Sequence, residues 1–326
     1  MAGDLSLPLD DAGQRVLQAL LAMQRQSWEQ GVASHAFLDL GLDGLADVVA
    51  HDAVLRQTAD GRLAEIDGGG VVNSGAVGEV VLRSSRRHGD PALAAAFDRQ
   101  VRWLCDEAPR AQDGTVFHVT GTREVWVDTV YMVVPVLVLA GRVDEAQRQL
   151  DGHERRLRDP ATGLYAHMWD EDSATVTRAA FWGTGNGWVA AGLARALRLL
   201  GEADLDGGDF ARRAAQQARE LVDACLVHRR ADGLFHDVLD DPATFTEANV
   251  AQMLAYSALT GVADGWLPTG YAEVGRSLLD TARTRVGPLG FVEGVCGAPR
   301  FDRQGRSVEA QSFHLLALAA EARLAR

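Results

Sequence analysis

The sequence predicts an all-α protein, an (α/α)6 barrel of six helical hairpins whose parallel inner helices open at one mouth. Three observations carry that expectation. Nearly every periodic segment repeats its apolar residues at helical spacing, and none shows sustained strand alternation bounded by a hairpin turn. Two kinds of helix alternate along the chain, one striped and charged, the other apolar nearly all round. A short turn unit recurs between them at intervals of about fifty to seventy residues, the spacing of a repeat architecture. An open helical solenoid satisfies the same observations and stands as the alternative. The whole chain, residues 1–326, reads as one domain.

Apolar spacing and the Gly, Pro and Asp punctuation place helices at 11–26, 28–41, 46–58, 74–88, 91–107, 127–141, 143–157, 186–201, 207–228, 246–260, 268–285 and 308–324. The even-numbered helices begin with polar residues, continue with small ones and end in an apolar body. In order they read "SWEQGVASHAFLDLG", "VNSGAVGEVVLR", "WVDTVYMVVPVLVLAG", "GNGWVAAGLARALRLLG", "TEANVAQMLAYSALTG" and "VEAQSFHLLALAAEA". A helix apolar on all sides is buried, so these form the inner ring. The odd-numbered helices, such as "VDEAQRQLDGHERRLR" and "DFARRAAQQARELVDACL", carry a charged face toward solvent. The turn unit follows odd helices and precedes even ones: "ADGRLAE" (59–65), "QDGTVFH" (112–118), "ATGLYAH" (161–167), "ADGLFHD" (231–237) and "GPLGFVE" (287–293).

Composition narrows the function classes. A net charge of -13 argues against a nucleic-acid partner, though a local positive site for an anionic small molecule is compatible with it. The chain has no lysine, so all 32 basic residues are arginine, the mark of a GC-rich coding bias. The N-terminal "MAGDLSLPLDDAG" lacks the regions of a signal peptide, and "VLQALLAM" (16–23) is too short to span a bilayer. Cys105, Cys225 and Cys296 lie far apart, which suggests reduced thiols and a cytoplasmic location. No His-x-x-x-His or comparable spacing points to a metal, and no cofactor is expected. The chain is expected to be a monomer or weak homodimer with no membrane partner.

In such a barrel the inner-helix N-termini bring orphan N–H groups and positive dipole ends to one mouth. The polar residues there are Glu29, Gln30, Asn73, Ser74, Asp128, Thr129, Asn186, Glu247, Asn249, Glu309, Gln311 and Ser312. The turn units deliver His118, His167 and His236 to the same rim, among Trp28, Trp126, Trp169, Trp182 and Trp188. Aromatic faces beside carboxylates and amides are what a sugar site requires. The stretch "FWGTGNGWVAAGLARALRLLG" (181–201) has the outline of a phosphate loop, but the polar "EDSATVTRAA" before it is not the apolar strand that loop needs. Its glycines instead suit a tight turn and close approach to a ligand, with Asn186 as an N-cap.

The motifs "FWGTGNGWVAAGLARAL" and "VWVDTVYMVVPVL" resemble signatures of the unsaturated uronyl hydrolases of glycoside hydrolase families 88 and 105. Weaker likenesses are "GLYAHMWDED", "DDPATFTEANVAQMLAYSALTGV" and "RSVEAQSFHLLALAA", so the similarity runs from about Trp28 to the C-terminus. The resemblance implies a substrate oligosaccharide ending in a Δ4,5-unsaturated uronic acid, whose enol ether is hydrated so that the next sugar is released. It assigns Asp128 as general acid and base, and Trp28, Asn73, His118, His167, Trp182, Thr184 and Trp188 to the substrate. Two residues depart from the pattern. Thr184 stands where close relatives carry arginine, with Arg178 as a substitute from the adjoining loop, and Asn73 stands where relatives often carry aspartate. Two other readings remain open: a two-carboxylate glycosidase pairing Asp128 with Glu247, Glu309 or Glu29, and a catalytically silent sugar-binding protein.

Overall fold

A computed structural model describes residues 9–66, 68–178, 180–205, 207–297 and 302–325. Its helices are α1 (Asp11–Met23), α2 (Ser27–Asp39), α3 (Asp43–Leu55), α4 (Gly78–His88), α5 (Pro91–Arg102) and α6 (Thr129–Leu139). They continue as α7 (Val143–Leu157), α8 (Gly183–Glu202), α9 (Gly208–Leu226), α10 (Asn249–Ala263), α11 (Tyr271–Arg283) and α12 (Val308–Leu324). Each even-numbered helix packs on the odd-numbered helix that follows it, and α12 packs on α1. The even-numbered helices form the inner ring. α2 packs on the 3-10 turn Asn73–Val77 that leads into α4, that turn packs on α6, and α6, α8, α10 and α12 follow until α12 meets α2. The ring is closed, which excludes the open solenoid.

Burial explains the alternation. Every residue of α6 is buried, whereas α9 buries one stripe: Phe210, Ala214, Gln217, Ala218, Leu221, Val222 and Cys225. Side chains cap several ends: Asp10 accepts from the Gly13 amide at 2.7 Å, Asp90 from Ala92 at 2.8 Å, and Ser307 from Ala310 at 3.0 Å. Each such cap is worth about 1 kcal/mol.

The five turn units share one geometry. Gly61, Gly114, Gly163, Gly233 and Gly290 all have positive φ, between 78° and 104°, which a side chain would resist. Buried amides then hold four of the turns. The backbone N–H two residues after the glycine donates to Gln100 at Leu63 (2.8 Å), Gln149 at Val116 (2.9 Å), Asn186 at Tyr165 (2.8 Å) and Gln311 at Val292 (2.6 Å). Asn186 is therefore not the expected N-cap. α8 starts at Gly183, and the Asn186 side chain also donates to the Tyr165 and Trp182 carbonyls, both at 3.0 Å.

Short strands, absent from the sequence reading, line the approaches to the inner helices. β1 (Glu124–Trp126), β2 (Met168–Asp170) and β3 (Thr175–Arg178) form an antiparallel sheet in that order. β4 (Phe235–His236) pairs with β5 (Thr246–Glu247), and β6 (Val295–Cys296) with β7 (Gln304–Gly305). β3 falls within "EDSATVTRAA"; its residues are largely exposed, so no apolar strand introduces the glycine stretch. Those glycines serve packing. A Cβ on Gly183 would lie 2.6 Å from Val250, one on Gly185 2.7 Å from Val127, and one on Gly187 2.6 Å from the Met253 sulfur.

Candidate active site

The inner-helix starts and the rim loops enclose a cavity of about 610 Å³ at the mouth, within the usual size range of small-molecule sites. Of the residues expected to act there, Asp128, Trp28, Asn73, His118, His167, Trp182 and Trp188 all line it. Thr184 does not. Because α8 begins at Gly183, Thr184 lies inside the first helical turn, 4 % exposed, with its hydroxyl unpartnered among the described residues.

Asp128 immediately precedes α6, where the chain leaves β1 for the helix. Its side chain does not cap that helix; Oδ1 is buried without a hydrogen-bond partner among the described residues, and Oδ2 lies 3.7 Å from His118 Nε2. Thr129 holds the other side of the His118 ring, Oγ1 to Nδ1 at 2.8 Å, and Trp126 stacks on it with centroids 4.5 Å apart. Burial lowers the His118 pKa against the opposing pull of Asp128, so the ring is neutral at pH 7. His167 accepts at Nδ1 from the Arg178 guanidinium at 2.9 Å, and burial pushes its pKa down to about 4. An arginine can only donate, so Nε2 of His167 carries the proton.

The aromatic wall is built from several helices. Trp188 lies against Tyr131 and Phe313 at centroid distances of 4.7 and 5.2 Å, while Trp182 lies 4.7 Å from His167. Across the cavity, Trp28 Nε1 donates to Glu309 Oε1 at 2.8 Å, and burial raises the Glu309 pKa.

The other polar residues expected at the mouth have mostly structural tasks. Glu29 accepts the Arg25 and Gln26 amides at 2.6 and 2.8 Å, and Gln30 bonds Asp52 on α3. Glu247, its pKa raised to about 7 by burial, accepts the Val250 and Cys296 amides at 2.8 and 3.1 Å. His236 is held by Arg230 and the Thr244 carbonyl rather than by the cavity. Of the three proposed partners for Asp128, only Glu309 shares its cavity.

Glu65 also lines the cavity, and the sequence reading did not place it there. The signal was available. Counting four residues from the positive-φ glycine of the first four turns gives Glu65, His118, His167 and Asp237 in equivalent positions, where the fifth has Gly294. Cys105 and Cys225 are free thiols, and no described helix is long and apolar enough to cross a membrane. Among the described residues no group of His, Cys, Asp or Glu has the arrangement of a metal site.

Over 220 residues the chain is 29% identical to the unsaturated rhamnogalacturonyl hydrolase YesR of Bacillus subtilis, a match covering 62% of this chain and 60% of that one. The crystal structure of a possible GH105 family member from Salmonella enterica serovar Paratyphi A superposes with a TM-score of 0.83 at 21% identity, covering 100% of this chain and 97% of the other. An unsaturated glucuronyl hydrolase specific for heparin gives 0.72 at 13% identity, with 96% and 95% covered. These two structures share the barrel fold. The model of Glycosyl Hydrolase Family 88 matches residues 14–313. The chain belongs to that family.

Proposed function

We propose that the protein hydrates the C4=C5 bond of a Δ4,5-unsaturated uronic acid at the end of an oligosaccharide, with Asp128 as the proton donor and acceptor. The observation that carries this reading is the Asp128 carboxyl, which reaches the cavity with Oδ1 unpartnered while Oδ2 faces neutral His118. The carboxyl delivers its proton to C4, and the ring oxygen stabilises the cation left at C5. Water adds its oxygen to C5 and returns a proton to Asp128. The resulting hemiketal opens at the C5–ring-oxygen bond, and the hemiacetal exposed at C1 releases the next sugar as an alcohol. One carboxyl therefore suffices, unlike the paired carboxylates of ordinary glycosidases. Trp28, Trp126, Trp182 and Trp188 supply faces for the sugar rings, and Asn73 offers an amide to a hydroxyl.

A two-carboxylate glycosidase is the second reading, favoured by the presence of Glu309 in the same cavity. Product chemistry separates the two. Incubation with a panel of lyase-generated unsaturated disaccharides should abolish the ultraviolet absorbance of the conjugated double bond and yield a keto-uronate. Cleavage that leaves the double bond intact would favour the second reading. No turnover of any saturated or unsaturated oligosaccharide would leave the silent sugar-binding protein.

A further inference from the structure

The cavity wall holds Glu65, Asp128 and Glu309 but a single arginine among the described residues, Arg178. Many arginines elsewhere in the chain meet carboxylates: Arg156 bridges Asp113 and Glu171, and Arg158 bridges Glu154 and Glu220. Arg178 forms no ion pair within 4.0 Å among the described residues. Its one side-chain partner is the His167 ring, which is neutral and leaves the positive charge uncompensated. Asp237 feels that charge as an influence lowering its pKa, but burial outweighs it and brings the carboxyl up to about 6. Arg178 is also held in place. It ends β3 opposite Met168 of β2, and its carbonyl accepts the His167 amide at 3.2 Å, so backbone and side chain are both tied to the same histidine.

We propose that Arg178 takes the carboxylate of the substrate's terminal uronate and so fixes the direction in which that ring lies. The distribution of charge supports this. Glu65 and Glu309 belong to the wall built by the first turn unit, α2 and α12, while Arg178, His167 and Trp182 belong to the wall built by β2, β3 and the start of α8. A carboxylate pointed at the first wall meets like charge; pointed at the second it meets a guanidinium whose remaining N–H groups match its two oxygens. The uronate then sits against β3, and the rest of the oligosaccharide leaves along the Trp28 side.

This deepens the hydration reading, and the test keeps the two separable. Arg178→Ala should raise KM for an unsaturated disaccharide by about 10- to 100-fold while kcat changes little, the cost of one charge-assisted contact made before the chemical step. Arg178→Lys, which keeps the charge and loses the fork, should recover part of that loss. Calorimetry with D-glucuronate and D-glucose needs no turnover: the wild type should bind glucuronate far better than glucose, and Arg178→Ala should erase the difference while still unfolding in one cooperative transition. An unchanged KM, or a glucuronate preference that is absent from the wild type or survives in the variant, would overturn the proposal. Arg178-dependent glucuronate binding in a protein that turns over no unsaturated disaccharide would uphold the anchor and sink the hydration reading.

Discussion

Two regions of the barrel treat their polar groups in opposite ways. At the mouth, Ser74 Oγ, Asp128 Oδ1, Thr184 Oγ1, Asn249 Nδ2 and Ser312 Oγ are buried without a partner among the described residues, and they come from five of the six inner-helix starts. Further along the same helices the charges are joined. Arg195, 1 % exposed, grips Glu79 through two bonds of 2.6 and 2.9 Å and lies 3.4 Å from Asp39; Arg198 bonds Asp39 at 2.6 Å, and Arg83 bonds Glu79 at 2.8 Å. His35 links this network to Tyr131, which packs on Trp188 of the cavity wall: it lies 3.6 Å from Glu79 and bonds the Tyr131 hydroxyl at 2.8 Å. Unsatisfied buried polar atoms cost stability; others occur elsewhere, at Gln147, Gln217 and Thr260 for instance, but at the mouth five inner-helix starts each carry one. The interior network holds the ring together; the mouth is left chemically open.

Of the single substitutions, breaking the interior should have the largest effect on stability. Arg195→Ala leaves Glu79 and Asp39 buried with reduced compensation, and urea unfolding should show a loss of about 3–5 kcal/mol. The next effect is set by pH. Burial lowers the pKa of His35 to about 3 and those of His153, His167 and His314 to about 4. Below the unfolded value of 6.5 the unfolded chain takes up protons that the folded protein refuses, so stability should fall as pH drops from about 6.5 to about 4. A shift of that size corresponds to about 3 kcal/mol per buried histidine. Asp237 and Glu247, raised to about 6 and about 7, and Asp264 and Glu309, also raised by burial, act in the opposite direction, but the buried histidines, with His118 a fifth, outnumber them. Thermal melts between pH 4.5 and 7 should therefore show a rising Tm, and His153→Gln should flatten the slope. The smallest effect belongs to the mouth's own satisfied pair. Trp28→Phe removes the 2.8 Å bond to Glu309 and should cost about 1–2 kcal/mol in a thermal melt.

The helical ring was legible because burial on all sides leaves a continuous apolar signal, as in "TVYMVVPVLVL", and a solvent-facing helix leaves a stripe. The mouth was legible through the turn units, whose glycines mark a backbone conformation that few other residues tolerate. What escaped depended on distance or brevity. Arg195 meets Glu79 and Asp39 across 116 and 156 residues, and nothing local announces such a pairing. The strands of the rim span two to four residues, too few to show alternation. Thr184 was expected at the cavity and Asn186 at a cap because the glycine stretch reads as a loop; close packing against Val250, Val127 and Met253 makes it the first turn of a helix instead. Glu65 is hidden by residue type, an acid where His118 and His167 are imidazoles, and only register from the glycine aligns the three.

The contrast between a satisfied interior and an open mouth is tested most directly by Asp128→Asn, measured for both turnover of an unsaturated disaccharide and unfolding in urea. The account predicts that loss of double-bond absorbance slows by about 100- to 10,000-fold, while stability stays within about 0.5 kcal/mol of the wild type or rises, because Oδ1 has no hydrogen bond to lose. Undiminished turnover, or a destabilisation as large as that expected for Arg195→Ala, would contradict it.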